Sequence, residues 1–336
     1  MEPELLCLKM LNLGLWLGGI LQCLLRNELS KTLSRMSKLN ITVVILTLNE
    51  ELHIERCLKN VVSWAEQVLI IDCRSTDRTK EICSYYGVEV IEHDWPGNQA
   101  AQFNWALDHC DIKTEWVLRL DADEYLTPEL IEEMECKLPT LPEDVSAVVL
   151  PLGRVFRGKL LRHGIVNGVK MIRLFRFGKA RYETRLMDEH LTITEGSTVT
   201  FENKFIDDNL ISIKDFISKH NNYSSREAAM LLDAEYGLTP EPVGDSDLAE
   251  EVKAKRAQKA KYAKMPLYWR SIGYFLYRYF LKLGFLDGRA GFEWDFFQGL
   301  WYRMLIDSKV SEVKRACGDD KEKIREYLHR VFKIDL

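Results

Sequence analysis

Three carboxylate-bearing stretches of this 336-residue chain could do chemistry together. In "LRLDADE", Asp121 and Asp123 stand one residue apart at the end of an apolar run. In "IDCRSTDRT", Asp72 and Asp77 flank a polar turn, and "RLMDEHLTITEG" carries Asp188, Glu189 and His190 in a row. Carboxylates suit hard divalent cations such as Mg2+ or Mn2+, and a carboxylate within reach of a hydroxyl can act as general base. Spacing alone decides nothing, because two Asp one residue apart are expected about once by chance in a chain this long. "VGDSDLAE" holds such a pair, Asp245 and Asp247, in a polar stretch that reads as loop.

The element that each pair ends separates them. From Ile41 the pattern alternates strand and helix: "ITVVILTLN", "EELHIERCLKNVVSWA", "QVLIIDC", "STDRTKEICSYYG", "VEVIEHD", "GNQAAQFNWALDHC", "WVLRLDAD" and "TPELIEEMECKL". Thr127 and Pro128 are a cap and first-turn pair, and Gly87 is a helix stop. This βαβαβαβα order predicts a Rossmann-like, mostly parallel sheet with helices on both faces. Ligands bind beyond the C-terminal ends of strands in such sheets. Asp121, Asp123, Thr47, Asn49, Asp72, His93 and Asp94 all fall at such ends. After Ser146 come β segments with turn breaks, a long helix ending at Gly237, and aromatic-rich helices from Pro266 to about Asp307.

Composition narrows the class. The chain is 46% hydrophobic and 29% charged, with net charge −5, which is ordinary for a globular protein and does not suggest a nucleic-acid binder. Its eight cysteines form no C-x-x-C pair and no disulfide framework, so a reducing cytoplasmic setting is expected. Neither G-x-G-x-x-G nor G-x-x-x-x-G-K-[ST] occurs in the early loops, which removes the usual fingerprints of dinucleotide enzymes and P-loop NTPases.

The stretches "VVILTLNEE", "IDCRSTDRT" and "LRLDADE", in that order and spacing, resemble the motifs of family 2 glycosyltransferases with a GT-A fold. Arg74 stands where that family usually has Gly. The resemblance covers roughly residues 41–210 and implies a transferase, a hexosyltransferase, that moves a sugar from a nucleotide-sugar donor with a Mn2+ or Mg2+ cofactor. It implies Asp123 as main metal ligand and Asp121 on the ribose or in the metal shell, where a bland reading would make Asp121 a turn cap. It also implies Asp72 as the base-binding aspartate, with Thr47, Asn49 and Glu50 lining the nucleoside pocket; Asn49 would serve equally as an N-cap. Asp77 is favoured at a helix start by the dipole alone, so structure and donor binding are even alternatives. Gln102 and Asn104 lie where the family puts polar residues facing the donor, whereas Phe103 replaces a common basic residue. An inverting transfer needs a base. The family carries a carboxylate near "MDEH", which points to Asp188, then Glu189, with His190 as third metal ligand, diphosphate contact or an ordinary histidine. Arg119, a lone charge in an apolar strand, should pair with a nearby carboxylate.

The expected organisation is an apolar and basic extension over 1–38, a catalytic domain over 39–210 (donor half 39–145, acceptor half 146–210) and a helical region over 211–336. The extension would be an interfacial anchor, a marginal signal anchor, or an upstream extension of a protein that begins at Met36. "KHNNYSSREA" and "GFLDGRAGFEWDFFQGLWYRML" resemble the tails of bacterial enzymes that build surface polysaccharide or lipopolysaccharide core. The basic run "KAKRAQKAKYAK" followed by an aromatic helix suits the inner face of a cytoplasmic membrane and a glycan or lipid-linked acceptor; Arg270, Arg278 and Lys282 should keep that helix from spanning. Two alternatives are a sugar-1-phosphate nucleotidyltransferase, disfavoured by the missing Gly-rich loop, and an inactive membrane-associated scaffold.

Overall fold

A computed structural model describes residues 38–183, 191–239 and 261–335. The strands are β1 (Leu39–Thr47), β2 (Ala65–Asp72), β3 (Glu89–Glu92), β4 (Trp116–Asp121), β5 (Glu124–Leu126), β6 (Val145–Phe156), β7 (Lys159–Leu161), β8 (Lys170–Arg176), β9 (Ala180–Tyr182), β10 (Leu191–Ile193), β11 (Ser197–Thr200) and β12 (Phe205–Asp208). The helices are α1 (Ile54–Val61), α2 (Thr79–Tyr85), α3 (Gln99–His109), α4 (Pro128–Lys137), α5 (Ile213–Tyr236), α6 (Trp269–Leu276), α7 (Gly288–Trp294), α8 (Tyr302–Cys317) and α9 (Lys321–Tyr327). Wider π-type turns continue α6 through Tyr277–Leu281 and α7 through Asp295–Trp301.

Ten strands form one sheet in the order β3-β2-β1-β4-β8-β6-β12-β5, with β7 and β11 also on β6. The first four are parallel, as the alternating strand–helix pattern predicts. The continuation is mixed: β8 is antiparallel to both β4 and β6, and β12 is parallel to β6. Two reversals restore direction, so β6 and β12 run the same way as β4. Their C-terminal ends therefore lie at the edge where Asp121 ends β4.

Alternation along each strand divides the core into two faces. Val43, Ile45, Leu118 and Leu120 pack with α1 and α4 residues on one face; Val44, Leu69, Ile71 and Val117 pack with α3 on the other. A separate core joins α5, α8 and α9, and Phe216 of α5 meets Phe156 of β6, with Trp294 packed against them. Local signals hold where expected. Thr127 Oγ1 accepts from Leu130 N at 3.3 Å, and Gly237 closes α5 with φ 61°, a left-handed value suited to glycine. One departs: α1 begins at Ile54 with His53 as N-cap, so Asn49 is not a helix cap.

The C-terminal helices show one expectation in a different light. Arg270 and Arg278 do not interrupt an outward apolar face. Both are buried, with Arg270 Nε 2.7 Å from Asp307 Oδ1 and Arg278 Nε 2.8 Å from Asp295 Oδ1. The outer surface is left to Trp269, Phe280 and Leu281, exposed by 73%, 54% and 74%, with Leu286, Phe292 and Phe296 also exposed. Among the described residues no helix is long and apolar enough to cross a membrane.

Candidate active site

At the shared C-terminal edge lies a cavity of about 520 Å3. Its walls come from the ends of β1, β4, β6 and β12, from α5, and from Trp294 and Gln298. Three of the expected site residues line it: Glu50, Asp121 and Asp123.

Asp121 is held from behind. Its Oδ2 accepts from Arg173 Nη2 at 3.2 Å, and Arg119 Nε lies 3.5 Å from its Oδ1, which bears out the expectation that Arg119 pairs with a carboxylate. Arg173 also donates to Glu124 Oε1 at 2.6 Å, and Glu124 Oε2 accepts from Asp121 N at 2.9 Å. Burial resists ionisation of Asp121, but Arg173 and Arg119 outweigh it and hold the carboxyl at about 2. Glu124 moves the other way: burial, with Asp121, Asp207 and Asp123 nearby, pushes it well above the ordinary value despite Arg173.

Asp123 differs. Its Oδ2 accepts from Asn209 Nδ2 at 2.7 Å, a neutral donor, and among the described residues it has no ion pair. Its backbone is fixed by Asp208 N and by Arg56, whose Nη1 also lies 2.6 Å from Asp208 Oδ2. Asp207 pairs with Arg154 at 2.7 Å, yet burial together with Asp123 and Asp121 raises its carboxyl to about 6. The cluster therefore holds more carboxylate than its arginines balance, and Asp123 is the member left open. That donor set suits an oxygen-seeking divalent cation. Among the described residues no three His, Cys, Asp or Glu side chains form a complete metal site. Asp188, Glu189 and His190 lie outside the described residues, as do Asp245 and Asp247. The strands flanking the first three, β9 and β10, pair with Tyr182 opposite Leu191. The Tyr182 ring lies 4.5 Å from the Arg119 guanidinium, beside Asp121.

The remaining expected donor-binding residues make internal hydrogen bonds. Asp72 is fully buried and accepts from Thr47 Oγ1 (2.7 Å), Ser75 N (2.7 Å) and Ser75 Oγ (2.6 Å). Asn49, at φ 57°, accepts from Thr76 N at 2.9 Å and donates its own N–H to Ser75 Oγ at 2.8 Å. Asp77 accepts from Glu51 N at 3.0 Å and Thr79 N at 2.9 Å, which favours its structural alternative. Thr47, Asn49, Asp72 and Asp77 thus bind the loop after β1 to the loop after β2 and fix where Glu50 stands. Arg74 sits in this loop at φ 61°, the left-handed conformation that explains why glycine is usual there.

On α3, Gln102 and Asn104 are two residues apart, so they point in different directions. Gln102 is buried, with Oε1 2.7 Å from His93 Nδ1. Asn104 clamps β9, donating to Tyr182 O at 2.7 Å and accepting from Tyr182 N at 3.0 Å. Phe103 packs edge-on against Phe175 and Tyr182 in the core, so it offers nothing to a phosphate.

Sequence reasoning missed Arg173, Arg154, Asp207, Asp208, Asn209 and the α5 residues Lys219, His220 and Tyr223. Arg173 carried the signal used for Arg119, a lone charge in an apolar strand. His220 is not a free base: its Nδ1 lies 2.8 Å from Phe216 O and its Nε2 2.5 Å from Gln298 Nε2, and burial lowers its pKa.

The chain is similar in sequence to known proteins. The family described as Glycosyl transferase family 2 matches residues 42–200. An uncharacterized glycosyltransferase of Rickettsia bellii (strain RML369-C) is 26% identical over 295 residues, 85% of this chain and 91% of the relative. The lipopolysaccharide core biosynthesis glycosyltransferase LpsC of Rhizobium meliloti (strain 1021) is 30% identical over 171 residues, 48% of this chain and 59% of the relative. Among solved structures, residues 1–349 of S. aureus TarS align over 87% of this chain and 92% of that one, at 15% identity and a TM-score of 0.41.

Proposed function

The chain belongs to glycosyl transferase family 2 and is a glycosyltransferase that uses a nucleotide-sugar donor; from that premise we propose an inverting, divalent-metal-dependent transfer, with a UDP-sugar as donor, to a glycan or lipid-linked acceptor in surface-polysaccharide or lipopolysaccharide synthesis. One observation carries the metal reading: Asp123 lines the cavity without a cationic partner among the described residues, close enough to Asp207 and Glu124 to help raise both carboxyls. Asp123 would be the principal ligand of Mn2+ or Mg2+, with Asp121 in its shell and His190 as a candidate third group. When bound, the cation would offset the charge that develops on the diphosphate leaving group. Arg173 and Arg119 keep Asp121 ionised and oriented, and Asn209 orients Asp123. Glu50 would meet the nucleoside, and the Asp72 network would hold the loops around it. Asp188, or Glu189 next to it, would take the acceptor hydroxyl proton as that oxygen attacks the anomeric carbon. The name of the Rhizobium relative supports the lipopolysaccharide assignment. Thermal shift and turnover across a panel of nucleotide sugars with Mn2+ test the donor and metal readings together. Stabilisation by one donor only when Mn2+ or Mg2+ is present is expected, and equal binding in EDTA would reject the metal role. Asp188→Asn against Glu189→Gln then separates the two candidate bases by turnover.

We further infer contact with the inner face of the cytoplasmic membrane through the outward aromatic surface that includes Trp269, Phe280 and Leu281. The neighbouring run 253–264 contributes six lysines and arginines that would meet anionic headgroups. Removing the whole helical region would destroy the α5–α8–α9 core, so substitution is the better test. Trp269→Ser with Leu281→Ser should reduce flotation with anionic vesicles while thermal stability is kept; unchanged flotation rejects this surface.

A further inference from the structure

The charged side chains lining the cavity are matched with opposite partners, with two exceptions. Asp207 meets Arg154, Asp208 meets Arg56, Arg157 Nε lies 3.1 Å from Glu293, and Asp121 is held by two arginines, while Glu50 is engaged by a 2.7 Å hydrogen bond with the His53 ring. The exceptions among the described residues are Asp123 and Lys219, which have opposite charges.

Lys219 comes from α5. Phe216, Lys219, His220 and Tyr223 recur at i, i+3, i+4 and i+7, one face of a helix, and all four line the cavity. Phe216 is stacked under His220 and packed against Phe156, which fixes the face that Lys219 shares. The ammonium makes no hydrogen bond or ion pair among the described residues, and it lies 5.9 Å from the centre of the Tyr223 ring. The Lys219 side chain is exposed to solvent; partial desolvation by the surrounding walls lowers its proton affinity, but Tyr223, Asp123, Glu50 and Asp121 outweigh that and keep it above the ordinary lysine value, so it stays an ammonium. Lys219 is thus near enough to feel the carboxylates of the metal candidate and too far to pair with them, with the cavity between.

We propose that Lys219 is a donor-binding residue whose ammonium hydrogen-bonds the diphosphate of the nucleotide sugar, the anionic counterpart of the cation assigned to Asp123. This rests on the nucleotide-sugar reading above. In the transfer, the bond from the anomeric carbon to the diphosphate oxygen breaks and its electron pair goes to that oxygen, while the acceptor oxygen bonds to the carbon and its proton goes to the base. Lys219 gives up no proton; its hydrogen bond strengthens as the leaving oxygen gains charge.

The test is calorimetric binding of UDP and of uridine to the full-length protein, with and without Mn2+, for wild type, Lys219→Gln, Lys219→Arg and Asp123→Asn. Lys219→Gln should weaken UDP binding roughly ten- to a hundredfold and leave uridine binding unchanged, as for one lost charge-assisted bond. Lys219→Arg should recover most of the affinity. Lys219→Gln should keep the Mn2+ dependence of UDP binding, and Asp123→Asn should lose it. UDP affinity within about twofold of wild type in Lys219→Gln overturns the proposal, whether the residue then proves merely structural or raises only the KM of an anionic acceptor. If the wild type binds none of UDP, GDP, CDP and ADP with either metal, the donor reading falls, and this proposal with it.

Discussion

Buried arginine–aspartate pairs occur in two regions of the molecule, and they are built differently. In the C-terminal helices Arg270 and Asp307 form a closed pair: both are almost fully buried, and Asp307 also accepts from Tyr268 N and Ser271 Oγ; Arg278 meets Asp295 Oδ1, while Asp295 Oδ2 is buried without a hydrogen-bond partner among the described residues. At the sheet edge, Arg173 is shared between Asp121 and Glu124, Asp207 is pushed up to about 6 despite Arg154, and Asp123 has no cationic partner among the described residues. A closed pair fixes one packing and leaves no charge for a ligand. An open cluster stores repulsion that a bound cation would relieve. Burial of charge is therefore no guide to function by itself; the imbalance is.

Breaking each kind of cluster should give opposite signatures. Asp123→Asn should lower glycosyl transfer by about a thousandfold or more, the order expected when a charge-stabilising group is removed. It should leave the melting temperature unchanged or slightly raised, because it removes one charge from an overly negative cluster; retained turnover would refute the assignment. In the helices, Asp307→Ala leaves Arg270 buried and unpaired and should destabilise by about 3–5 kcal/mol, read by denaturant unfolding; a loss no larger than that of an exposed aspartate would contradict the closed-pair reading.

A smaller effect follows from Asp207. Its folded pKa, about 6, lies above its ordinary value. A raised carboxyl binds its proton more tightly in the native state, so its contribution is favourable at low pH and is lost as pH rises through about 4 to 6. The size is up to about 3 kcal/mol for a shift of about two units. Metal-free wild type should therefore lose stability across that window relative to Asp207→Asn, and the gain from added Mn2+ should grow over the same range. Parallel pH profiles for the two proteins would remove the repulsion from the account.

The smallest effect tests the loop that supports Glu50. Arg74 sits at φ 61° and pairs with Asp94 across the surface, 2.6 Å apart with both side chains exposed. An exposed pair is worth little, whereas a left-handed non-glycine residue is strained by about 1 kcal/mol. Arg74→Gly should thus stabilise by a few tenths to about 1 kcal/mol in thermal unfolding, and a loss would mean that the Asp94 pair dominates.

The donor side was legible because its signals are local. Hydrophobic runs ending in polar residues gave β1, β2 and β4, and the parallel order followed from the helices between them. That is enough to bring Glu50, Asp121 and Asp123 to one edge. The same signals are silent on direction: Gln102 and Asn104 are both polar, yet one is buried on His93 and the other holds β9. Asp72 and Thr47 were rightly marked as strand-end residues, but a strand-end position does not say whether a carboxylate faces a ligand or its own loop. The hydrogen bonds from Ser75 tie the Asp72 carboxylate to its own loop.

What the sequence determined by itself is the set of elements and the chemistry of the strand ends, because periodicity, caps and charge cost are properties of neighbouring residues. What only the tertiary structure decided is which charges meet. Lys219 lies 96 residues beyond Asp123, and Asp207 lies 84 beyond it. They reach one cavity only because β8 reverses direction against both β4 and β6, which brings the ends of β6 and β12 to the edge where β4 ends. Strand direction across a sheet is set by long-range pairing, and no local pattern encodes it.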